Sequence, residues 1–205
     1  MAATIKHEFD TKIFEFSKNI EYKSVVERYY VPHYKIDVKM QKGEDMCVLS
    51  HSNRLCIITI APSHPLLLNK KTVTKVDFQV KPGTNLLDNA PKGKYKRGGQ
   101  GMHDTSRLCT VTCSDETEYI MHTCIRGKLI EVNDSLVENP NWLTEKHNSD
   151  GFIAIISPKP RFFKQEMETL LTKEQYQEAL ERRENELAQV VMEGKTEETA
   201  QEQMQ

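Results

Sequence analysis

The sequence predicts a mainly β domain with helices on both sides of it. Seven short runs rich in β-branched and apolar residues lie between residues 47 and 157: CVLSH, LCIITI, VTKVDFQV, LCTVTC, EYIMHTC, KLIEV and FIAIIS. Turn-forming stretches such as PSHP, KPGTN, KRGG and SDET separate them. Strands of this length between such breaks are typical of an all-β fold. We place this domain at residues 34–160.

Residues 1–33 are predicted to form a helical N-terminal extension. Apolar residues recur at spacings of three and four between residues 5 and 20, which indicates an amphipathic helix. The helical tendency continues to Tyr30 and ends at Val31, because a residue that precedes a proline disfavours the α-helical region. We therefore expect the β domain to start near Tyr34.

Residues 161–194 are predicted to form a C-terminal helical segment. Thr172 is the expected N-cap, and Gln175 three residues later completes a capping box. An apolar stripe that Arg183 interrupts then follows along the helix: Tyr176, Leu180, Leu187 and Val191. We expect the helix to end near Gly194 and the acidic residues 195–205 to be disordered.

Charge is distributed unevenly along the chain. The net charge is −2, but residues 165–205 hold 11 acidic and 4 basic side chains, a balance of −7 that leaves +5 for residues 1–164. A modestly positive body attracts acidic protein surfaces or RNA. A pI near 6.4 is nevertheless far below that of a dedicated nucleic-acid-binding protein.

Cysteine usage and hydropathy predict an intracellular location. The five cysteines are an odd number with irregular spacing, and the N-terminus lacks the continuous apolar run of a secretory signal. No stretch approaches the roughly 20 apolar residues of a membrane span, so no membrane partner is expected. We expect a reduced protein of the cytoplasm or nucleus.

Two sets of cysteines and histidines are candidate metal ligands: Cys47 with His51 and Cys56, and Cys109 with Cys113 and His122. Neither set has the paired two-residue spacing of structural zinc sites. Cys109 and Cys113 share a strand face by alternation, so we expect them to be small buried apolar residues. We expect residues 51–54 to form a hydrogen-bonded turn. No nucleophile with its base and no phosphate-binding glycine loop is present, so we expect neither an enzyme nor a bound cofactor.

One long motif points to a known fold. The run GKLIEVNDSLVENP starts at Gly127, and SDGFI follows at residues 149–153. This run resembles the strand, one-turn helix and proline of the glycine-cleavage H-protein. The resemblance implies a barrel-sandwich hybrid, the H-protein and lipoyl-domain fold, in which a pseudo-twofold axis relates two small β-sheets.

The same resemblance places the lipoylated lysine of the H-protein at Glu116, eleven residues before Gly127. An amide-linked lipoyl or biotin arm needs a primary amine, which a carboxylate cannot replace. No lysine lies between Lys96 and Lys128. We therefore expect no carrier activity. A degenerate carrier that still docks a lipoate-handling enzyme through its shape remains an alternative.

A narrower resemblance covers about residues 25–180. The segments that carry it are VERYYVPHYKIDV, CVLSHSNRLCIITIAPSHPLL, GKYKRGGQ, LCTVTCSDETEY and RGKLIEVN. In this order they resemble the Simiate or Abitram family, actin-binding transcription modulators related to the H-protein. The resemblance implies binding to monomeric and filamentous actin, remodelling of filaments in thin protrusions, and a nuclear pool in speckles. The alternative is an RNA-associated or transcriptional adaptor for which actin is a secondary partner.

The segment PKGKYKRGGQ contains the candidate partner-binding residues, Lys92, Lys94, Lys96 and Arg97. Alternation along a strand would place the three lysines on one face and Tyr95 on the other, facing inward. Such a basic edge suits the acidic surface of actin or the phosphates of RNA. The alternative is a solvated strand that binds nothing.

A second basic stretch, LLNKKTV at residues 67–73, is similar to a Leu-Lys-Lys-Thr element of short actin-binding peptides. In those peptides a helix precedes the basic run, whereas this chain has Pro62 and Pro65 there and an inserted Asn69. We interpret the stretch as a turn that enters a strand at residues 73–80.

Overall fold

The computed structural model describes residues 23–202, with side chains described up to residue 189. The amphipathic helix predicted within residues 5–20 lies outside the described residues, as do the last three residues of the chain. No helix in the described range is long and apolar enough to cross a membrane.

The described residues form eleven strands and six α-helices. The strands are β1 (Tyr30–Lys35), β2 (Met46–His51), β3 (Cys56–Ile60), β4 (Val73–Asp77), β5 (Gln79–Lys81), β6 (Thr84–Asn85), β7 (Gly101–Met102), β8 (Arg107–Cys113), β9 (Glu118–His122), β10 (Gly127–Val132) and β11 (Ala154–Ser157). The helices are α1 (Val25–Tyr29), α2 (Pro65–Leu68), α3 (Ser135–Glu138), α4 (Trp142–Glu145), α5 (Phe163–Glu168) and α6 (Lys173–Glu202).

Two antiparallel sheets enclose one apolar core. The larger has the strand order β1-β2-β3-β11-β10-β7, the second has the order β4-β8-β9, and β5 and β6 form a small hairpin. Fully buried side chains from both sheets, such as Ile58, Val111, Met121 and Leu129, belong to the same core cluster. All seven predicted runs contain strands, so the mainly β fold with flanking helices is confirmed. The larger sheet remains open between β1 and β7.

The first strand begins earlier than the sequence predicts. Strand β1 contains Pro32 and pairs with β2 from Tyr30 onward. Tyr34 directs its backbone away from β2, because its N–H and C=O bond to Leu171 at 2.9 and 2.8 Å. Pro32, two residues earlier, faces the same way, so its missing N–H interrupts no bond to β2. Pro32 therefore lies within strand β1, at the edge of the sheet, and the domain begins before it.

The long run VTKVDFQV is not one strand, as the sequence suggests, but two. Phe78 is buried between β4 and β5, and Asp77 Oδ1 accepts the N–H of Gln79 at 2.9 Å. This side-chain hydrogen bond forms a local turn that competes with the strand ladder. The chain therefore leaves the second sheet at Asp77.

Helix α6 packs its first three turns on the larger sheet. The predicted capping box is present, with Thr172 N–H donating to Gln175 Oε1 at 3.0 Å and Gln175 N–H donating to Thr172 Oγ1 at 3.3 Å. The ring of Tyr176 stacks on Tyr34 at a centroid distance of 4.0 Å. The helix continues to Glu202, past Gly194 where we expected it to end. One glycine costs a helix only about 1 kcal/mol, and the following Glu, Gln and Ala residues favour helix.

Candidate partner-binding site

The hairpin between β8 and β9 carries Glu116 at its tip. Cys113 N–H donates to Thr117 O at 2.9 Å and Glu116 N–H donates to Cys113 O at 3.1 Å, which closes the turn. Glu116 is solvent-exposed and has a left-handed φ of 61°. The position that the resemblance assigns to the carrier lysine is thus exposed and could present a side chain to a partner.

A lysine that the sequence analysis missed lies beside this tip. Lys71, in the loop between α2 and β4, places its Nζ 2.8 Å from Asp115 Oδ2 and 2.8 Å from Thr117 Oγ1. The Nζ also lies 5.3 Å from the centre of the Tyr119 ring, and the side chain is only 16% exposed. The hydrogen bond to Asp115 raises the pKa of Lys71, and the same bond lowers the pKa of Asp115 to about 2. The amine is therefore held as a paired ammonium, which is not a nucleophile.

The stretch before Lys71 also differs from the prediction. Pro65 does not prevent a helix there, because it occupies the first position of α2, where a missing N–H breaks no bond. His64 is the N-cap, and its Nδ1 accepts the N–H of Leu66 at 3.2 Å. The turn that leads into β4 is present as predicted. Lys71, the second of its two lysines, binds the hairpin tip.

The segment that contains Lys92, Lys94, Lys96 and Arg97 is a tight turn, so the predicted strand is wrong. Lys92 N–H donates to Arg97 O at 2.7 Å, Arg97 N–H donates to Lys92 O at 2.9 Å, and Lys96 N–H donates to Gly93 O at 3.0 Å. Turn geometry replaces strand alternation, and Tyr95 consequently points outward with 72% of its surface exposed. We call residues 92–97 the basic turn.

The basic turn is fixed to β10 from behind. Lys128 Nζ donates to Tyr95 O at 2.9 Å and to Lys96 O at 3.0 Å. Asn89, just before the turn, donates from Nδ2 to Leu129 O at 3.1 Å and accepts the N–H of Gln100 at 2.9 Å. The backbone of the turn is therefore held in place while its side chains face solvent.

The four basic side chains of the basic turn are available to a partner. Lys92, Lys94 and Arg97 are exposed, and Lys96 is half-buried. No ion pair among residues 23–189 uses any of the four. The structure therefore brings all the predicted partner-binding residues together, on a rigid turn instead of a strand edge.

The residues of the long motif from Gly127 have structural roles. A Cβ at Gly127 would lie 2.8 Å from Ser157 O, because β10 passes close to β11 there. Gly151 is similarly confined, since a Cβ would overlap Trp142 O. Asn133 is buried and donates from Nδ2 to Asp150 O at 2.6 Å and to Phe152 O at 2.8 Å. The motif fixes how α3 and α4 join β10 to β11, and it carries no reactive group.

The cysteines lie in the apolar interior. All five are buried, and burial raises the pKa of Cys47, Cys56 and Cys124 to about 12 and also raises those of the other two thiols. In the described part of the chain, no three Cys, His, Asp or Glu side chains are grouped so as to hold a metal ion. At residues 51–54, His51 Nδ1 accepts the N–H of Asn53 at 3.2 Å, which forms the expected hydrogen-bonded turn.

Comparison with known proteins identifies two levels of similarity. The family model described as Glycine cleavage H-protein matches residues 94–183. Protein Abitram from Danio rerio is 44% identical over 160 residues, which cover 78% of this chain and 90% of that protein. Protein Abitram from Homo sapiens is 43% identical over 162 residues, with coverages of 79% and 90%. The one from Dictyostelium discoideum is 37% identical over 139 residues, with coverages of 66% and 76%.

Among solved structures, a glycine cleavage system H protein from Mycobacterium marinum is similar, with a TM-score of 0.46 and 13% identity. The similarity covers 71% of this chain and 92% of that protein. The family match over residues 94–183 includes the hairpin tip, strand β10 and strand β11. This family match supports the H-protein-like fold predicted from the motif, and the sheets of the described residues do not close into a barrel.

Proposed function

The chain belongs to the Abitram family, and on that premise we propose that it is a non-enzymatic actin-binding protein that modulates the assembly and remodelling of actin filaments. We place one pool in actin-rich protrusions of the cytoplasm and another in nuclear speckles, linked to transcription. These roles follow from the resemblance of the sequence to the family.

The chemistry of the hairpin tip supports a role other than carrying a lipoyl or biotin group. Glu116 has a carboxylate where such a carrier has its amine, and the nearby amine of Lys71 is held by Asp115 and Thr117. An ammonium group that is paired and mostly buried is a poor acceptor for acyl transfer. An H-protein-like domain of this kind is therefore best suited to binding.

The observation that carries the proposal is the basic turn. Four cationic side chains project from a segment whose backbone is fixed to β10 by Lys128 and Asn89. A rigid cationic surface loses little conformational entropy on binding and gains affinity and association rate at an acidic surface. The acidic surface of actin is such a partner.

Tyr95 favours RNA as the second candidate partner. Its ring is 72% exposed and is surrounded in sequence by the four basic residues of the basic turn. An aromatic ring on which a base stacks, flanked by cations that contact phosphates, is the arrangement that single-stranded nucleic-acid-binding proteins use. A Tyr95→Ala change distinguishes the two candidates, since it should weaken RNA retention and leave a charge-dominated actin contact largely intact.

Actin co-sedimentation of the full chain across a salt titration tests the proposal. Changing Lys92, Lys94, Lys96 and Arg97 to Glu alters the local charge by eight units. The change should weaken co-sedimentation at least tenfold, or about 1.4 kcal/mol, because repulsion replaces attraction. The fold should survive, since the Lys128 side chain holds the turn through its backbone carbonyls and not through the four side chains that change.

A matched control changes four exposed lysines outside the basic turn to Glu: Lys39, Lys42, Lys81 and Lys173. This variant has the same net charge as the test variant and should retain actin binding. Full affinity in a folded basic-turn variant would overturn the proposal. Retained actin binding with lost, steeply salt-dependent RNA retention would instead support the RNA-associated adaptor.

A further inference from the structure

A groove of about 670 Å³ lies where the larger sheet remains open. Strand β7 and the start of β10 form one wall, and the segment from Lys159 through α5 forms the other. Lys35, at the end of β1, closes one side. The groove therefore runs along the free edge of β7, with a short helix opposite.

Strand β7 presents to this groove backbone groups that pair with nothing in the described part of the chain. Leu129 N–H donates to Gln100 O at 2.8 Å, so Gln100 faces β10. Backbone groups of successive residues point in opposite directions in a strand, so the N–H and C=O of Gly101 point away from β10. Gly101 is exposed, and a Cβ built on it would meet no atom within 4 Å. Another chain can therefore approach this edge closely.

The charge of the lining is positive. Four cationic side chains and two carboxylates, Asp104 and Glu166, line the groove. Glu166 accepts the backbone N–H of Arg126 at 2.9 Å, and the Arg126 side-chain Nε lies 3.8 Å from Asp104. Lys128 is engaged by the basic turn, whereas Lys35 and Lys159 take part in no ion pair among residues 23–189. These two lysines give the groove an uncompensated positive charge.

Apolar surface completes the groove. Phe162 and Met102 line it. Met102 is buried, whereas Phe162 is 39% exposed and has the Arg161 guanidinium 4.5 Å from the centre of its ring. A free strand edge opposite a helix, with pockets for alternate side chains, is the arrangement by which proteins add an extended peptide to a sheet. The positive lining selects the charge of that peptide.

We propose that this groove binds an extended acidic segment of a partner protein, which adds to β7 as a further strand. The Gly101 N–H and C=O form hydrogen bonds with the added strand. Carboxylates of the peptide pair with Lys35 and Lys159, and an apolar side chain covers Phe162. The groove is separate from the side chains of the basic turn, so this inference does not depend on the proposed actin function.

The test measures binding of a fluorescein-labelled EDVEFDE peptide to the full chain by fluorescence anisotropy. The uncharged QNVQFNQ peptide should bind at least tenfold more weakly. A Lys35→Glu and Lys159→Glu double variant should also bind the acidic peptide at least tenfold more weakly. The matched control, Lys39→Glu with Lys42→Glu, should bind it as the wild type does.

Hydrogen exchange distinguishes strand addition from simple charge capture. Saturating peptide should slow exchange of the Gly101 amide at least tenfold, because its outward N–H becomes bonded. The proposal is overturned if millimolar peptide does not bind, if the double variant binds equally, or if binding leaves the Gly101 amide unprotected. Carbodiimide cross-links from Lys35 or Lys159 to acidic residues among residues 1–22 would assign the groove to the chain itself and also overturn it. Normal actin co-sedimentation by the double variant separates this result from the proposed function.

Discussion

Arg183 Nη1 lies 2.9 Å from Asp45 Oδ2, and its Nη2 lies 3.2 Å from Asp45 Oδ1, so the guanidinium holds the carboxylate with two hydrogen bonds. Asp45 is 0% exposed and Arg183 is 26% exposed. The Tyr176 hydroxyl donates to Ser63 Oγ at 2.6 Å, and the Ser63 hydroxyl in turn donates to Asp45. The arginine that interrupts the apolar stripe of α6 is therefore the charge that fixes this helix on the sheet.

Replacing Arg183 with Leu should destabilise the protein by about 2–3 kcal/mol. The change leaves the carboxylate of Asp45 buried without its cation, a situation that costs about 3–5 kcal/mol when both partners are fully buried. Partial exposure of Arg183 reduces that cost. Urea unfolding measures the free energy, and the exposed neighbour Arg182→Leu should change it by less than about 0.5 kcal/mol. Adding Asp45→Asn to the Arg183→Leu variant should recover part of the lost free energy of unfolding. If the free energy does not recover, a direct pairing of Arg183 with Asp45 is contradicted.

His64 makes stability depend on pH in the mildly acidic range. Burial lowers its pKa to about 4 from the ordinary value of 6.5. Between these values the unfolded chain binds a proton that the native state excludes, so stability falls as the pH decreases from 6.5 to 4. From pH 7 to pH 5 the contribution of His64 to this loss is about 2 kcal/mol.

A His64→Asn variant should lose about 2 kcal/mol less than the wild type between pH 7 and pH 5, as measured by urea unfolding. Asn removes the titrating group and can still accept the N–H of Leu66 as an N-cap. The control is His103→Asn at an exposed histidine, and its stability should depend on pH as that of the wild type does. Equal losses in the wild type and His64→Asn would show that His64 is not the group responsible.

The sequence predicted the strands well because alternation and turn residues are local signals. All seven runs contain strands, and the capping box of α6 was readable from Thr172 and Gln175. Contacts between distant residues could not be predicted in this way. The Lys71–Asp115 pair spans 44 residues and the Arg183–Asp45 pair spans 138, and nothing local in the sequence marks either partner.

The basic turn was missed for a different reason. KGKYKR alternates like a strand, and the glycines that allow a turn are also found in strands at bulges. The hydrogen bonds from Lys128 that hold the turn against β10 come from 32 and 33 residues away, which no local pattern reveals. The groove beside β7 likewise depends on which sheet edges remain open, a property of topology and not of any segment.

The hairpin tip should accept a lipoyl group only if its amine is restored. Intact-mass measurement of the wild type after co-expression with lipoate and biotin ligases should show no added group, because Glu116 has no amine and Lys71 is paired. A Glu116→Lys variant should gain the lipoyl mass, since position 116 is exposed at the tip of an H-protein-like hairpin. Modification of the wild type would contradict the proposed absence of carrier chemistry. An unmodified Glu116→Lys variant would show that the ligase no longer recognises this surface.

Lys128→Met tests whether rigidity of the basic turn contributes to actin binding. The change removes the hydrogen bonds to the carbonyls of Tyr95 and Lys96 and leaves all four basic side chains of the turn in place. We expect the amides of Lys96 and Arg97, which donate within the turn, to exchange at least tenfold faster with solvent. Co-sedimentation with actin should weaken about threefold to tenfold, because a mobile turn must be ordered on binding.

The control is Lys39→Met, which removes the same charge from an exposed lysine outside the basic turn and should change neither measurement. Faster exchange with unchanged actin affinity would mean that the cations act without a fixed geometry, as in a long-range electrostatic contact. Unchanged exchange would show that the turn keeps its structure without the hydrogen bonds from Lys128. Weaker binding together with faster exchange, and neither in Lys39→Met, identifies the fixed position of the basic turn as part of the actin-binding surface.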